Sequence, residues 1–289
     1  MSQKYEIGLY INSSANSQAT GLVYSLTGSE VFKDDIPFSQ PLEMLPNKLI
    51  VAGGERSIRT VTLAMYRRGQ LRPLGILGGG STNVLFEYLI STGREVTLQQ
   101  FLDTSADKFD PKFYFRPGIA RNEKEEIEEF NIQMGTGMYE RFSGQSNEIL
   151  RMIPPRFRPF TSRSLAYIPA IIRTGDTLDI YSLSPNIGRV DAFPGQDLFG
   201  SDLTHARIEG DRFEQARKLT ATLVFWQFHK RPPKEILRID KGIIFEDHIR
   251  SDSAWFDGDV EKHRLKLHGT VIISRVEPKL AIPVMAIRK

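Results

Sequence analysis

Two segments of this chain end an apolar run in glycine and then take up a helical pattern: Leu49–Ile58 (LIVAGGERSI) and Leu74–Asn83 (LGILGGGSTN). A strand that stops at glycine and turns into a helix presents backbone N–H groups at the carboxyl edge of its sheet, where the helix dipole adds partial positive charge. Phosphate is the natural occupant of such an edge. Either loop alone serves equally well as a simple chain reversal. Two of them, close in sequence and both leading into helices, favour a ligand held between them. Other candidates for chemistry are sparser. Asp257-Gly258-Asp259 reads by itself as a polar β-turn, and Gly200-Ser201-Asp202-Leu203 as a capped turn. His205, His229, His248, His263 and His268 lack metal-ligand spacing and are expected to be exposed or locally bonded. There is no cysteine, which excludes disulfides, thiolate zinc sites and a cysteine nucleophile and suits a reducing compartment. Neither a Gly-x-Ser-x-Gly elbow nor a Walker lysine after the glycines is present.

The elements around these residues follow from periodicity. Tyr5–Ile11, Leu49–Ala52 and Leu74–Leu77 read as strands. From Ser57 a helix carries Ile58, Val61 and Met65 on one face and ends near Gly69; Thr82 or Asn83 caps another that runs to about Ser91. Strands alternating with helices predict an α/β layer with a largely parallel sheet. After about residue 105 the texture changes. The acidic run Glu123–Glu129 is expected to be an exposed connection or edge. Short β-like runs follow at Phe130–Met134, Thr177–Leu183, Thr204–Ile208, Glu235–Ile239, Leu265–Leu267, Val271–Ser274 and Leu280–Ile287. They predict an antiparallel sandwich, with helices at Leu165–Arg173 and Arg212–His229.

The length of 289 residues, with 40% hydrophobic and 25% charged, suits two domains. These are expected at 1–110, a Rossmann-like α/β domain, and 111–289, a β-sandwich whose last strands return toward the first. A net charge of +3 needs no special partner, and no Lys/Arg stripe with interleaved aromatics is present, so nucleic acid is not expected. Residues 151–175 contain Arg151, Arg156, Arg158, Arg163 and Arg173 without an acid. Both a solvated loop and contact with an anionic membrane surface fit that stretch. With no signal-like start and no run of roughly 18 apolar residues, the chain is expected to be cytoplasmic, peripheral at a membrane if the arginine loop binds one.

The glycine segments resemble those of the diacylglycerol-kinase-like lipid kinases, in which a strand runs into a Gly-Gly-Asp-Gly-Thr loop and a second strand into Leu-Gly-Ile-Leu-Pro-Gly-Gly-Thr-x-Asn. Here the first reads Gly53-Gly54-Glu55-Arg56-Ser57 and the second Leu74 to Asn83, including Gly79-Gly80-Ser81-Thr82-Asn83. Glu129-Phe130-Asn131-Ile132, Gly135-Thr136-Gly137, Leu165-Ala166-Tyr167-Ile168 and Phe256-Asp257-Gly258-Asp259 are similar to later family segments in the same order. The resemblance implies transfer of phosphate from ATP, with Mg2+, to a diacylglycerol-like lipid hydroxyl. It implies ATP between the two domains with its phosphates over the glycine loops, Asp259 as the base with Asp257 beside it, and a structural magnesium near Asp202. Three departures stand against it. Glu55 replaces the family's Asp, Arg56 its second loop glycine, and Val84 the Asp that usually follows Asn83. Arg56 either crowds the phosphate site or pairs with phosphate through its guanidinium. A catalytically inactive relative that binds nucleotide or lipid is therefore the alternative, with an NAD-kinase-like enzyme ranked last.

Overall fold

Apolar runs ending in glycine build the first sheet. The computed structural model describes residues 7–11, 30–33, 46–78, 84–124, 127–137, 178–187, 190–191, 193, 195–211, 213–214, 217–218, 238–249, 255–257, 259–260 and 269–288. Strands β1 (Ile7–Ile11), β2 (Glu30–Lys33), β3 (Lys48–Gly53), β4 (Leu74–Gly78), β5 (Glu95–Thr97) and the last strand of the chain, β19 (Ile282–Arg288), form a parallel sheet in the order β2-β1-β3-β4-β19-β5. The short β6 (Tyr114–Phe115) pairs antiparallel with β19. Five successive residues of β3, Leu49 to Gly53, are buried, as expected of a strand covered on both faces.

Helix α1 (Glu55–Arg67) sinks Ile58, Val61 and Met65, the face predicted from their spacing, and has Glu55 in its first turn and Arg67 in its last, both favourable to its dipole. It ends in a Schellman turn. Gly69 has φ +63°, its N–H donates to Tyr66 O, and Gln70 N–H donates to Met65 O. Helix α2 (Val84–Ser91) follows β4. Helix α3 (Leu98–Asp103) opens with a capping box between Thr97 and Gln100, and the Lys48 ammonium donates to its carbonyls at Phe101 and Leu102. Leu9, Ile50, Ala52, Leu77, Phe101 and Met285 are among the residues of the resulting core.

The chain divides into two compact units, Met1–Pro117 with Val276–Lys289, and Gly118–Arg275. The boundary expected near residue 110 falls at Pro117, because β6 is tied to β19. Residues 276–289 group with the first unit because β19 lies between β4 and β5.

The second unit is antiparallel. Its strands are β7 (Gly118–Asn122), β8 (Ile127–Phe130), β9 (Gln133–Gly137), β10 (Leu178–Ser182), β11 (Asn186–Ile187), β12 (Val190–Asp191), β13 (Leu203–Ile208), β14 (Arg238–Gly242), β15 (Ile244–Ile249), β16 (Trp255–Phe256), β17 (Asp259–Val260) and β18 (Gly269–Arg275). They form a six-stranded sheet, β14-β13-β10-β9-β16-β17, a four-stranded sheet, β15-β18-β7-β8, and the small hairpin β11-β12. Tyr181 of β10 and Phe245 of β15 are in contact between the larger two sheets, with ring centroids 6.0 Å apart. This is the layered arrangement expected from the alternating runs.

Two local expectations change. The run Phe130–Met134 is not one strand: β8 stops at Phe130 and β9 starts at Gln133, with a bend at Asn131 and Ile132. The acidic stretch does supply an edge strand, β8, but it is not wholly exposed, because Glu128 and Glu129 lie there at 3% and 2% exposure. Pairing of β8 with β7, Glu129 opposite Ile119 and Glu128 opposite Ala120, carries them inside. Composition registers their charge and has no access to that ladder. The predicted helix at 165–173, the strand at 265–267 and the arginine loop at 151–163 lie outside the described residues. Of the predicted helix at 212–229, residues 213–214 and 217–218 are described and helical. Among the described residues no helix is long and apolar enough to cross a membrane.

Candidate functional site

The two glycine-terminated strands end side by side. β3 and β4 are parallel neighbours in a register that sets Gly53 opposite Gly78. β1 and β3 are neighbours, and the chain leaves β1 toward β2 on one side but β3 toward β4 on the other, so the sheet has a topological switch point between β1 and β3. In open α/β sheets, ligands settle beyond the carboxyl ends of the strands at such a point. Gly54 is the N-cap of α1, in extended backbone and without a side-chain cap. Glu55, Arg56 and Ser57 are already helical, so Gly54 alone separates β3 from α1. Glu and Arg are good helix formers, and no glycine at 56 delays the helix.

The side chains around this edge have divided duties. Glu55 is 6% exposed, and its Oε1 accepts the backbone N–H of Leu85 at 2.8 Å, so it bridges the first turns of α1 and α2. Ser57 is buried and Arg56 is exposed. Gly78 has a packing reason to be glycine, since an added Cβ lands 2.6 Å from the Phe86 ring of α2. Gly79, Gly80, Ser81, Thr82 and Asn83, the remaining expected phosphate contacts, lie outside the described residues.

In the second unit, Asp257 shapes the backbone. It is 4% exposed and holds φ at +46°, the left-handed region that a non-glycine residue enters at a cost. Its Oδ2 accepts Asn131 N–H at 2.6 Å, and its Oδ1 accepts Ile132 N–H at 2.7 Å and Gln133 N–H at 3.0 Å. Its own N–H donates to Gln133 O. The carboxylate therefore brackets the bend between β8 and β9, uniting two segments that had matched the family separately. Expected beside the base, Asp257 is a structural bracket, already engaged by three amides. Asp259 opens β17 with its backbone paired to Phe256.

A polar network in the same unit escaped the sequence reading. Asp179 faces Arg207, and Tyr181 faces His205, across the β10–β13 ladder. Asp179 Oδ1 is 2.8 Å from His205 Nε2 and accepts Arg207 Nε at 2.6 Å; Arg207 Nη2 donates to Asp247 Oδ2 at 2.7 Å. Tyr181 donates its hydroxyl to Asp247 and stacks on His205 at 4.4 Å. His205, Arg207, Arg238, Asp240, Glu246 and Asp247 line a small pocket at this network. Ligand atoms of Asp179, His205 and Asp247 lie within 4.8 Å of one another, close enough for a metal. The Arg207 guanidinium already bonds both carboxylates and offsets one of their two charges. The residue pattern Asp-x-Tyr and His-x-Arg, polar on alternate strand positions, was the only sign of a shared polar face; its burial left no trace in the sequence.

Burial disfavours the Asp179 carboxylate, but hydrogen bonds from His205 and Arg207 and the Arg207 charge outweigh it, holding the carboxyl below the usual range. A depressed folded-state pKa contributes stability that is present above the unfolded value, about 3.9, and is lost as pH falls through the folded one. Acid melts followed by circular dichroism are expected to show this loss below about pH 4. In Arg207→Met the folded-state pKa of Asp179 should rise, so the fall in Tm on going from about pH 5 to about pH 3 should be smaller than in wild type; an undiminished fall would remove Asp179 as its source.

No family model matches the chain, and no curated protein matches its sequence. Crystal structures of diacylglycerol kinases from Bacillus anthracis strain Sterne do match, two of them provisionally assigned. One aligns with a TM-score of 0.60 at 12% identity, another at 0.60 and 13%, and a third at 0.58 and 12%, each over 98% of both chains. The chain has the diacylglycerol-kinase fold. An NAD kinase from Archaeoglobus fulgidus in complex with ATP reaches a TM-score of 0.38, too low to establish a shared fold.

The structural magnesium that this fold suggested near Asp202 does not suit the residues present. The Asp202 side chain is exposed and accepts the Ser201 hydroxyl at 2.9 Å. Its backbone carbonyl is the inward-directed group, accepting Gln196 Nε2 at 2.7 Å and Arg275 Nε at 3.1 Å. Expected as a metal ligand, the Asp202 carboxylate instead bonds Ser201, away from the carbonyls that its own backbone oxygen joins.

Proposed function

We propose that this chain is an ATP-dependent lipid kinase that phosphorylates a diacylglycerol-like hydroxyl. One observation supports this above the others: Gly53 and Gly78 end adjacent parallel strands beside the switch point, in a chain with the diacylglycerol-kinase fold. The edge suits phosphate. Gly54 brings no side chain to the N-terminus of α1, and Arg56 is exposed on its first turn with a guanidinium that can pair with phosphate oxygens. When bound, ATP supplies the phosphoryl group and Mg2+ offsets its charge. The chain's own part is to position the phosphates along this edge and to accept the lipid hydroxyl proton, the role proposed for Asp259. The lipid places the reaction at a membrane surface, and the arginines of 151–163 are the proposed anionic contact.

A second reading has its own support. Glu55, in place of the family's Asp, is spent on the Leu85 amide, and α1 begins before any second loop glycine. Both features suit a relative that binds nucleotide or lipid without transferring phosphate.

The test is a thermal shift with Mg–ATP beside transfer of radiolabelled phosphate to lipids in neutral and in anionic vesicles. A kinase shows a shift and labelled lipid, with more transfer on anionic vesicles at low salt. A shift without labelled lipid favours the inactive relative. The absence of any shift would leave only the fold in common.

A further inference from the structure

Arg275, the last residue of β18, is 4% exposed, and its guanidinium is ringed by carbonyl oxygens of a single loop. Nη1 donates to Leu198 O at 2.7 Å, Nη2 to Asp197 O and to Asp202 O at 3.0 Å each, and Nε to Asp202 O at 3.1 Å. The loop tightens itself around the same point. Gly200 N–H donates to Asp197 O, Phe199 N–H to Asp197 Oδ1, and Gln196, which also accepts the Thr204 hydroxyl, donates to Asp202 O. Buried carbonyls must find donors or a cation. Several of them turned toward one buried point is the arrangement that a hard divalent ion imposes on a loop. Here the positive charge at that point is covalently part of the chain, and a guanidinium keeps its charge across the accessible pH range.

We infer that Arg275 stands in for a metal ion: it closes loop 197–202 as a built-in cation, so the second unit of this chain needs no divalent metal to hold that loop. The inference is independent of whether the protein transfers phosphate, because it concerns the folding of the loop alone. It also accounts for the outward use of the Asp202 carboxylate, which a metal site would have recruited. A guanidinium fork satisfies three carbonyls in fixed directions, whereas an ion would recruit carboxylates as well.

The test uses the full chain. Wild type dialysed against chelator is expected to carry no stoichiometric divalent ion by plasma mass spectrometry, and its Tm should be the same in EDTA, MgCl2 and CaCl2. Arg275→Met should lower Tm on the order of 10 °C, since it removes several charge-assisted bonds to buried carbonyls. Arg275→Lys, with the charge but not the fork, should fall between. In Arg275→Ala the carbonyls are left open to a cation, and CaCl2 or MgCl2 is expected to raise its Tm while leaving wild type unmoved. Loss of wild-type Tm on chelation, or a retained stoichiometric ion, would overturn the inference without recourse to any variant. So would an Arg275→Met Tm equal to wild type, or an Arg275→Ala protein indifferent to both salts.

Discussion

Asp257→Ala is expected to destabilise the second unit by about 3–6 kcal/mol, because three buried amides lose their acceptor at roughly 1–3 kcal/mol each, with some relaxation. Those amides belong to Asn131, Ile132 and Gln133, residues more than a hundred positions away in sequence. Alanine also inherits φ +46° without a side-chain oxygen to compensate, which adds to the loss. For a unit of this size, roughly 2–4 °C per kcal/mol puts the fall in Tm at about 10 °C or more. Asp257→Asn, which keeps one acceptor oxygen, should lie between. Asp257→Gly relieves the backbone strain but not the lost bonds, so it should recover only a small part. If Asp257→Ala melts within a few degrees of wild type, the bracket contributes far less than its geometry implies.

Asp259→Asn is expected to do the opposite: leave Tm and the Mg–ATP shift nearly unchanged while cutting phosphate transfer by about 10²–10⁴-fold, the usual worth of a positioned base. The amide keeps the volume and loses the proton acceptor. The contrast between stability at Asp257 and activity at Asp259 separates two carboxylates that the motif alone treats as a pair. Restoring the family loop with Glu55→Asp, Arg56→Gly and Ser57→Thr tests whether the altered turn limits the rate. Shortening Glu55 withdraws its oxygen from Leu85 N–H, and glycine within the first turn of α1 costs up to about 1 kcal/mol, so some stability should be lost. Increased transfer that disappears again with Asp259→Asn supports a diverged kinase. A restored loop that binds ATP and transfers nothing supports the inactive relative, and lower activity than wild type would mean that Arg56 had been aiding phosphate.

What could be read from the sequence was what depends on neighbours a few residues away. The runs ending at Gly53 and Gly78, the 3.6-residue spacing of Ile58, Val61 and Met65, and the stop at Gly69 are local, since backbone hydrogen bonds and side-chain periodicity act over one or two turns. The change from helical to β texture after residue 105 is of the same kind, and the ordered motifs were enough to reach the fold.

Tertiary structure decided which charged groups face chemistry and which face the chain itself. Glu55 meets Leu85, Asp257 meets the bend at 131–133, Arg275 meets the loop at 197–202, and Asp179 meets His205 and Arg207. Each partner lies from 26 to 126 residues away, and nothing in the flanking residues marks the meeting. Burial of Glu128 and Glu129, and the insertion of β19 between β4 and β5, were settled by strand pairing in the same way. The physical reason is common to all of these. A carboxylate or guanidinium carries the same charge in any sequence, but its task is set by the donors and acceptors that the folded chain brings within about 3 Å of it.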